Sequence, residues 1–435
     1  MKKLKLFNLL PLLAMVVFFS CKENGSIKIE SSISLEQKEV VMNPGGTTKL
    51  QAKLMQIVDG DRVSTGDDVS LTWTSSNDSI ATVSYGVVTA VTGGEVDIIV
   101  SAANVDNVQE QRCRVVVRDI YVSGECGDNV TKTACVWKNN KLFYPLASDA
   151  NAFANAMVVT DNKDVYVAGS VASVGKVWKN GVEVASLGDT LKSIAVEEGD
   201  VYVAGSEGTT AKVWKNGNEL YTVPNALFKS IVVNAGTIYV GGVLDGSATI
   251  WTDNVAATLA NGVVNGLYID GADVYAAGEC ETYGKVWKNN NELYVFEKNT
   301  VATSVAVANN KVYACGYSGT TQAVKAKVWE NGVQLGTADA DKEYLGEFVV
   351  GKDADGVEQY VYTELGNNGK VKASTIYLSL DDVYVSGYFD NTQTNAVYWK
   401  NGTSQKLEGD NAGEKIMSPY SPGKNRARAT AIVVK

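Results

Sequence analysis

The sequence predicts an all-β protein in which an N-terminal β-sandwich precedes a seven-bladed β-propeller closed by the C-terminal strand. Three observations predict this. Apolar and polar residues alternate along most of the chain, with Gly, Asn and Ser clusters as breaks. The phrase KVWKNG, at 176–181 and 212–217, returns with small changes until Trp has been placed seven times. The last residues, ATAIVVK from Ala429, supply an element that the first repeat lacks.

Composition bounds the answer first. A chain of 435 residues exceeds one ordinary core and implies two or more units. Gly is abundant at 41 and Pro scarce at 6, as in a turn-rich β protein. Histidine is absent, which excludes Ser-His-Asp and Cys-His catalysis and the usual His-ligated zinc sites. The net charge of -10 argues against nucleic acid as a partner.

Residues 1–20 read as a signal peptide: a basic head at Lys2, Lys3 and Lys5, an apolar run from Leu6 to Phe19, then Ser20 and Cys21. The run is too short to span a bilayer well. The ending FFSC resembles a bacterial lipoprotein box of the looser Bacteroidetes type, although Phe18 and Phe19 replace the usual Leu and small residue. That resemblance implies lipidation of Cys21, an outer-membrane lipoprotein in the cell envelope, facing the surface or the periplasm, and membrane contact through the lipid alone. Residues 21–30 form a polar tether.

From 31 to 118 the period-two pattern is that of a sandwich, with Val69, Leu71 and Trp73 on one inward face. Trp73-Thr74-Ser75-Ser76-Asn77, Ile80-Ala81-Thr82-Val83, Gly86, Val88-Thr89-Ala90 and Gly94 closely resemble the bacterial immunoglobulin-like group 2 domain. The resemblance implies a spacer, or part of an adhesin, without chemistry of its own. The stretch DGDRVSTGDD departs from the pattern as a longer hairpin.

Residues 119–435 carry the repeat. Trp137, Trp178, Trp214, Trp251, Trp287, Trp329 and Trp399 recur at intervals of about 36 to 42 residues, with one of 70. Each follows a DVYVAG-like phrase holding Tyr121, Tyr166, Tyr202, Tyr239, Tyr275, Tyr313 or Tyr384. A third element, such as SIAV at 193–196, precedes it. Asn180-Gly181, Asn216-Gly217, Asn331-Gly332 and Asn401-Gly402 are type I′ turn signals, so strands within a unit are antiparallel neighbours. Four short strands cannot bury two faces alone, so each unit packs on the next. The first phrase, from Asp119, has no SIAV element before it, and Ala429 onward is that element. A ring needs this exchange, whereas a solenoid does not. The Trp and Tyr residues are therefore read as packing between blades. Aligned at the start of the inner strand, Ala431, Met157, Ser193, Ser230, Gly266, Ser304 and Thr375 are small, as convergence near an axis demands, with Met157 the exception.

Variation in length falls on one face. First-to-second and third-to-fourth turns stay short, while the opposite connections include GECGDNVTKTAC, GYSGTTQAVKAK and GYFDNTQTNAV and long ones near 336–372 and 405–428. Tyr283, Tyr317, Tyr388, Phe389 and Asp390 lie there, an aromatic and polar mix suited to stacking on sugars or protein side chains. Asp353, Asp355 and Glu358 are too closely spaced for a calcium loop and read as a hairpin turning at Asp355-Gly356. Cys126 and Cys135 flank one loop and are a candidate disulfide, whereas Cys113, Cys280 and Cys315 read as isolated thiols. No metal or cofactor motif is present, so none is expected.

Three functions remain open on these residues. A non-catalytic binding or adhesion module for a glycan or a protein fits the anchor, the spacer and the one-sided variation. A structural component of an envelope complex is the alternative. A glycosidase or lyase would need paired carboxylates from loop acids such as Glu125, Glu279, Glu281 and Asp390.

Overall fold

A computed structural model describes residues 29–58, 61–64, 71–103, 107–127, 132–147, 151–320, 323–335, 344–352, 358–364, 370–380, 382–390, 394–401, 403–407 and 428–435. Strands alternate with turns throughout, and no helix occurs among these residues. The N-terminal sandwich joins three sheets. Ile29–Leu35 pairs with Ala52–Val58; Glu39–Met42, Gln111–Val117, Gly94–Ala102 and Leu71–Ser75 form a second; Thr47–Lys49, Val87–Ala90 and Ala81–Ser84 form a third. Alternate residues Val96, Ile98 and Val100 point into one core with Ile33, Leu35, Leu54, Val88 and Val115. Leu71 and Trp73 pack partly buried against it, as their spacing predicts, and Val69 lies outside the described residues.

Seven four-stranded antiparallel units follow among the described residues, numbered here as blades in ring order. In blade 1 the inner strand is the C-terminal Arg428–Val434, followed outward by Ile120–Gly127, Lys132–Lys138 and Lys141–Ala147. Blades 2 and 3 start at Ala152–Val159 and Thr190–Glu197. Blade 4 starts at Ala226–Asn234, and its outer strand runs unbroken into the inner strand of blade 5 as Val255–Asp270. Thr300–Ala308 and Lys370–Ser379 begin blades 6 and 7. Successive inner strands pack on one another, and those of blades 7 and 2 both pack on Arg428–Val434, which closes the ring. Between blades 6 and 7, Tyr344–Lys352 pairs antiparallel with Glu358–Glu364, the hairpin that the spacing predicts. Its turn, with Asp353 and Asp355, lies outside the described residues.

The repeated phrases have separate physical jobs. Every repeat Trp is buried, between 1% and 5% exposed, and packs into the cluster of the preceding blade: Trp178 against Tyr121 and Val136, Trp329 against Tyr275 and Val286. Asn180 and Gly181, with φ of 51° and 81°, make the type I′ turn. That Asn also ties two strands together, since its Oδ1 accepts from Val165 N at 2.8 Å while its Nδ2 donates to Asp164 Oδ1 at 2.7 Å. Lys179 completes the group over the Tyr166 ring. The same Asp, Lys, Asn and Tyr set recurs at 200, 215, 216 and 202 and at 273, 288, 289 and 275.

The inner strand of every blade carries a one-residue bulge at one register position: Thr430, Asn155, Lys192, Lys229, Asn265, Thr303 and Ser374. The bulge pushes the carbonyl of the residue two before it against the second strand. There the glycine of each DVYVAG-like phrase leaves room. A Cβ on Gly124, Gly169, Gly205, Gly242, Gly278, Gly316 or Gly387 would overlap that carbonyl oxygen in all seven blades. This register also corrects the alignment of blade 2. Ala156, not Met157, pairs with Ala168 and occupies the small position, so the apparent exception disappears; Met157 sits one step on and is buried between blades.

The sandwich docks on the short-turn face at blades 7 and 1. Buried Asn43 donates to Ser379 O at 2.6 Å and Asp382 Oδ2 at 2.8 Å, and accepts from Ser379 Oγ at 2.8 Å. Arg118 donates to Ser379 Oγ and Lys400 to Pro44 O. Asp119 and Lys435 exchange two backbone hydrogen bonds, fixing the last residue of the chain beside the first residue of the propeller.

Candidate functional site at the channel mouth

Opposite the docked sandwich, second strands end and inner strands begin. The residue after each bulge-facing glycine holds one register position on this face: Glu125, Ser170, Ser206, Val243, Glu279, Tyr317 and Tyr388 in ring order, of which Glu279, Tyr317 and Tyr388 line the mouth of the central channel. A cavity of about 360 Å³ opens there, lined by Tyr317, Tyr388, Glu279, Lys372, Asn155 and Asn265 among others. Five of the seven bulge residues line it: Asn155, Asn265, Thr303, Ser374 and Thr430.

Those bulge residues also belt the ring. Thr430 Oγ1 donates to Ala154 O at 2.6 Å, Asn155 Nδ2 to Leu191 O at 2.7 Å, Asn265 Nδ2 to Ala302 O at 3.0 Å and Thr303 Oγ1 to Ala373 O at 3.1 Å. Each bond reaches the next blade. Just beyond, Ser193 and Ser230 accept from Ile231 N and Leu267 N, so the small positions staple blades as well as fitting near the axis. At Gly266 even a Cβ would come within 2.8 Å of Thr303 O.

The cavity wall is aromatic and cationic. Lys372 Nζ lies 4.6 Å from the centroid of Tyr317, and the Arg428 guanidinium 4.8 Å from that of Tyr388. Arg428 also reaches Glu125 Oε1 at 3.5 Å, which Lys132 shares at 3.4 Å. Burial raises the Glu279 carboxyl above its ordinary range. Burial, then the nearby Glu279 charge and Tyr388, raise the Tyr317 phenol. Tyr317 is thus a neutral hydrogen-bonding group at physiological pH, and each of the two tyrosines carries a cation on its ring.

Of the residues named from sequence, Tyr317 and Tyr388 meet in this cavity. Tyr283 does not line it; it starts the third strand of blade 5, partly exposed on the same face. Phe389 and Asp390 continue the strand of Tyr388, and their side chains lie outside the described residues, as does Cys21. Cys135 is disulfide-bonded, while the side chain of Cys126 is outside the described residues; Cys113, Cys280 and Cys315 are buried free thiols. Sequence reasoning missed the bulge residues. Their signal was present in six blades, as the residue before the aligned small position; in blade 2 the alignment at Met157 pointed to Ala156 instead of Asn155.

Comparison with known proteins bears on the sandwich. Residues 31–111 match the bacterial Ig-like domain, group 2. This Ig-like domain is the unit docked on the short-turn face. Among solved structures, the β-propeller domain of the Trilobed protease from Pyrococcus furiosus is similar at 11% identity and a TM-score of 0.39, over 75% of this chain and 96% of that one. A quinonprotein alcohol dehydrogenase-like protein from Bacteroides thetaiotaomicron is similar at 10% identity and 0.38, over 91% and 96%. A protein of unknown function from Bacteroides caccae is similar at 14% and 0.35, over 46% and 84%. No curated protein matches the chain. Among the described residues no group of three or more Cys, Asp or Glu is placed to hold a metal, and no helix is long and apolar enough to cross a membrane.

Proposed function

We propose that this chain is a cell-envelope lipoprotein, anchored through Cys21, whose propeller is a non-catalytic glycan-binding module with its site at the channel mouth. One observation carries the reading. The cavity opposite the Ig-like domain is lined by Tyr317 and Tyr388 beside the amides of Asn155 and Asn265, so apolar ring faces stand next to hydrogen-bonding groups. Sugars present the same pairing of C–H faces and hydroxyls. Hydrolysis by paired carboxylates would call for two acids flanking one bond. Glu279 is the one acid lining the cavity among the described residues.

A glycan-array screen of the purified protein tests this, with a Tyr317→Ala/Tyr388→Ala double variant alongside. The expected result is binding that the double variant loses while its melting temperature stays near that of the parent. A folded sample that binds no sugar defeats the glycan assignment, and a stable protein partner recovered in a mild pull-down would then point to an assembly role.

A further inference from the structure

In the belt of bulge residues, blades 1, 2, 5 and 6 use Thr or Asn to reach the next blade's carbonyl, and blade 7 has Ser374. Blades 3 and 4 break the pattern with Lys192 and Lys229, two cations at the same register on adjacent, packed inner strands. Asn155 and Asn265, on the blades to either side, both line the cavity, and the lysines hold the same bulge register on the two inner strands between them. Neither lysine has an ion-pair or hydrogen-bond partner among the described residues, whereas Lys176, Lys212, Lys285 and Lys327 on the outer surface each hold a carboxylate.

We propose that Lys192 and Lys229 form an oxyanion subsite of the channel, which takes the carboxylate or sulfate of an acidic oligosaccharide whose sugar ring rests at Tyr317 and Tyr388. The inference rests on the glycan-binding reading and narrows its substrate class. Two further cations stand at the cavity, Lys372 over Tyr317 and Arg428 over Tyr388 and shared with Glu125, in a protein of net charge -10. Two like charges held together without a counter-ion cost free energy in the empty protein. Consistent with this, burial and then the Lys229 ammonium pull the Lys192 ammonium below the ordinary lysine range, and no carboxylate offsets them. A bound oxyanion would relieve both costs, which gives the ligand's charge differential value.

The test titrates the purified protein with trigalacturonate, with a neutral trisaccharide and with inorganic sulfate, by calorimetry at low salt. Lys192→Gln/Lys229→Gln, Lys192→Arg/Lys229→Arg and Tyr317→Ala/Tyr388→Ala variants run beside it. The expected result is binding of trigalacturonate that weakens about tenfold or more in the Gln pair, persists in the Arg pair and disappears in the Ala pair. Equal binding of acidic and neutral trisaccharides, unchanged in the Gln pair, overturns the lysine subsite and leaves the glycan reading standing. Lysine-dependent binding of sulfate without either saccharide keeps an oxyanion site and overturns the saccharide assignment. Absence of lysine-dependent binding with all three, in variants that melt like the parent, overturns the subsite.

Discussion

The α-carbon of Gly316 faces the carbonyl oxygen of Val301 with no room for a side chain between them. Six other glycine and carbonyl pairs repeat this relationship around the ring, and each is the imprint of an inner-strand bulge. Gly316→Ala should therefore force the bulge of blade 6 to shift. The expected loss is about 1–3 kcal/mol or more, from overpacking against backbone that cannot rotate away. Chemical denaturation of the variant measures it, and a neutral result would show that the inner strand can relax without its bulge.

Closure depends on the last eight residues. Arg428–Val434 is the inner strand of blade 1, and Ile432 and Val434 pack with Trp137 and Tyr384. Deleting residues 428–435 should open the ring, broaden the unfolding transition and raise proteolytic sensitivity in 119–147. Limited proteolysis with mass spectrometry reads this directly. A deletion that melts as sharply as the parent would mean that blade 1 stands without its inner strand.

Asn43 tests the union of the two domains. Asn43→Ala would leave Ser379 O and one Asp382 oxygen without their amide partner in a buried contact. Such a loss costs about 1–3 kcal/mol. Thermal unfolding should fall accordingly, and an additional early transition would mark release of the Ig-like domain from blade 7.

The pH dependence of Glu279 follows from its raised folded-state pKa. A carboxyl whose charged form burial disfavours binds its proton more tightly when folded, so its ionisation costs stability above the folded pKa. The penalty vanishes below the unfolded value. Glu279→Gln should stabilise the protein near neutral pH, with the gain shrinking to nothing as pH falls below the ordinary glutamate range. Denaturation curves across acid and neutral pH check the sign.

Much of this was legible in sequence because repetition made it so. Seven copies of Trp and Tyr mark the packing between blades, and the type I′ dipeptides mark the outer turns. The site was half legible. Tyr317 and Tyr388 stand out as aromatics on the variable face, but nothing in period-two patterning shows a bulge, which adds a residue to one strand and leaves its partner unchanged. Asn155, Lys192 and Lys229 therefore read as ordinary strand residues until register placed them. Met157 shows the same blindness, since it took the small position only when the extra residue went uncounted.

The docked Ig-like domain has a mechanical meaning. Its first strand begins at Ile29, its Asn43 grips blade 7, and its Gly93 packs against Asp119 and Asn139 of blade 1. The two ends of the propeller meet in blade 1, where strand pairing and apolar packing, with no covalent link, hold Arg428–Val434 to Ile120–Gly127 and blade 7 packs alongside. The Ig-like domain spans that seam, with Asn43 on blade 7 and Gly93 on blade 1, so the joint without a covalent link is also the one bridged from outside the ring.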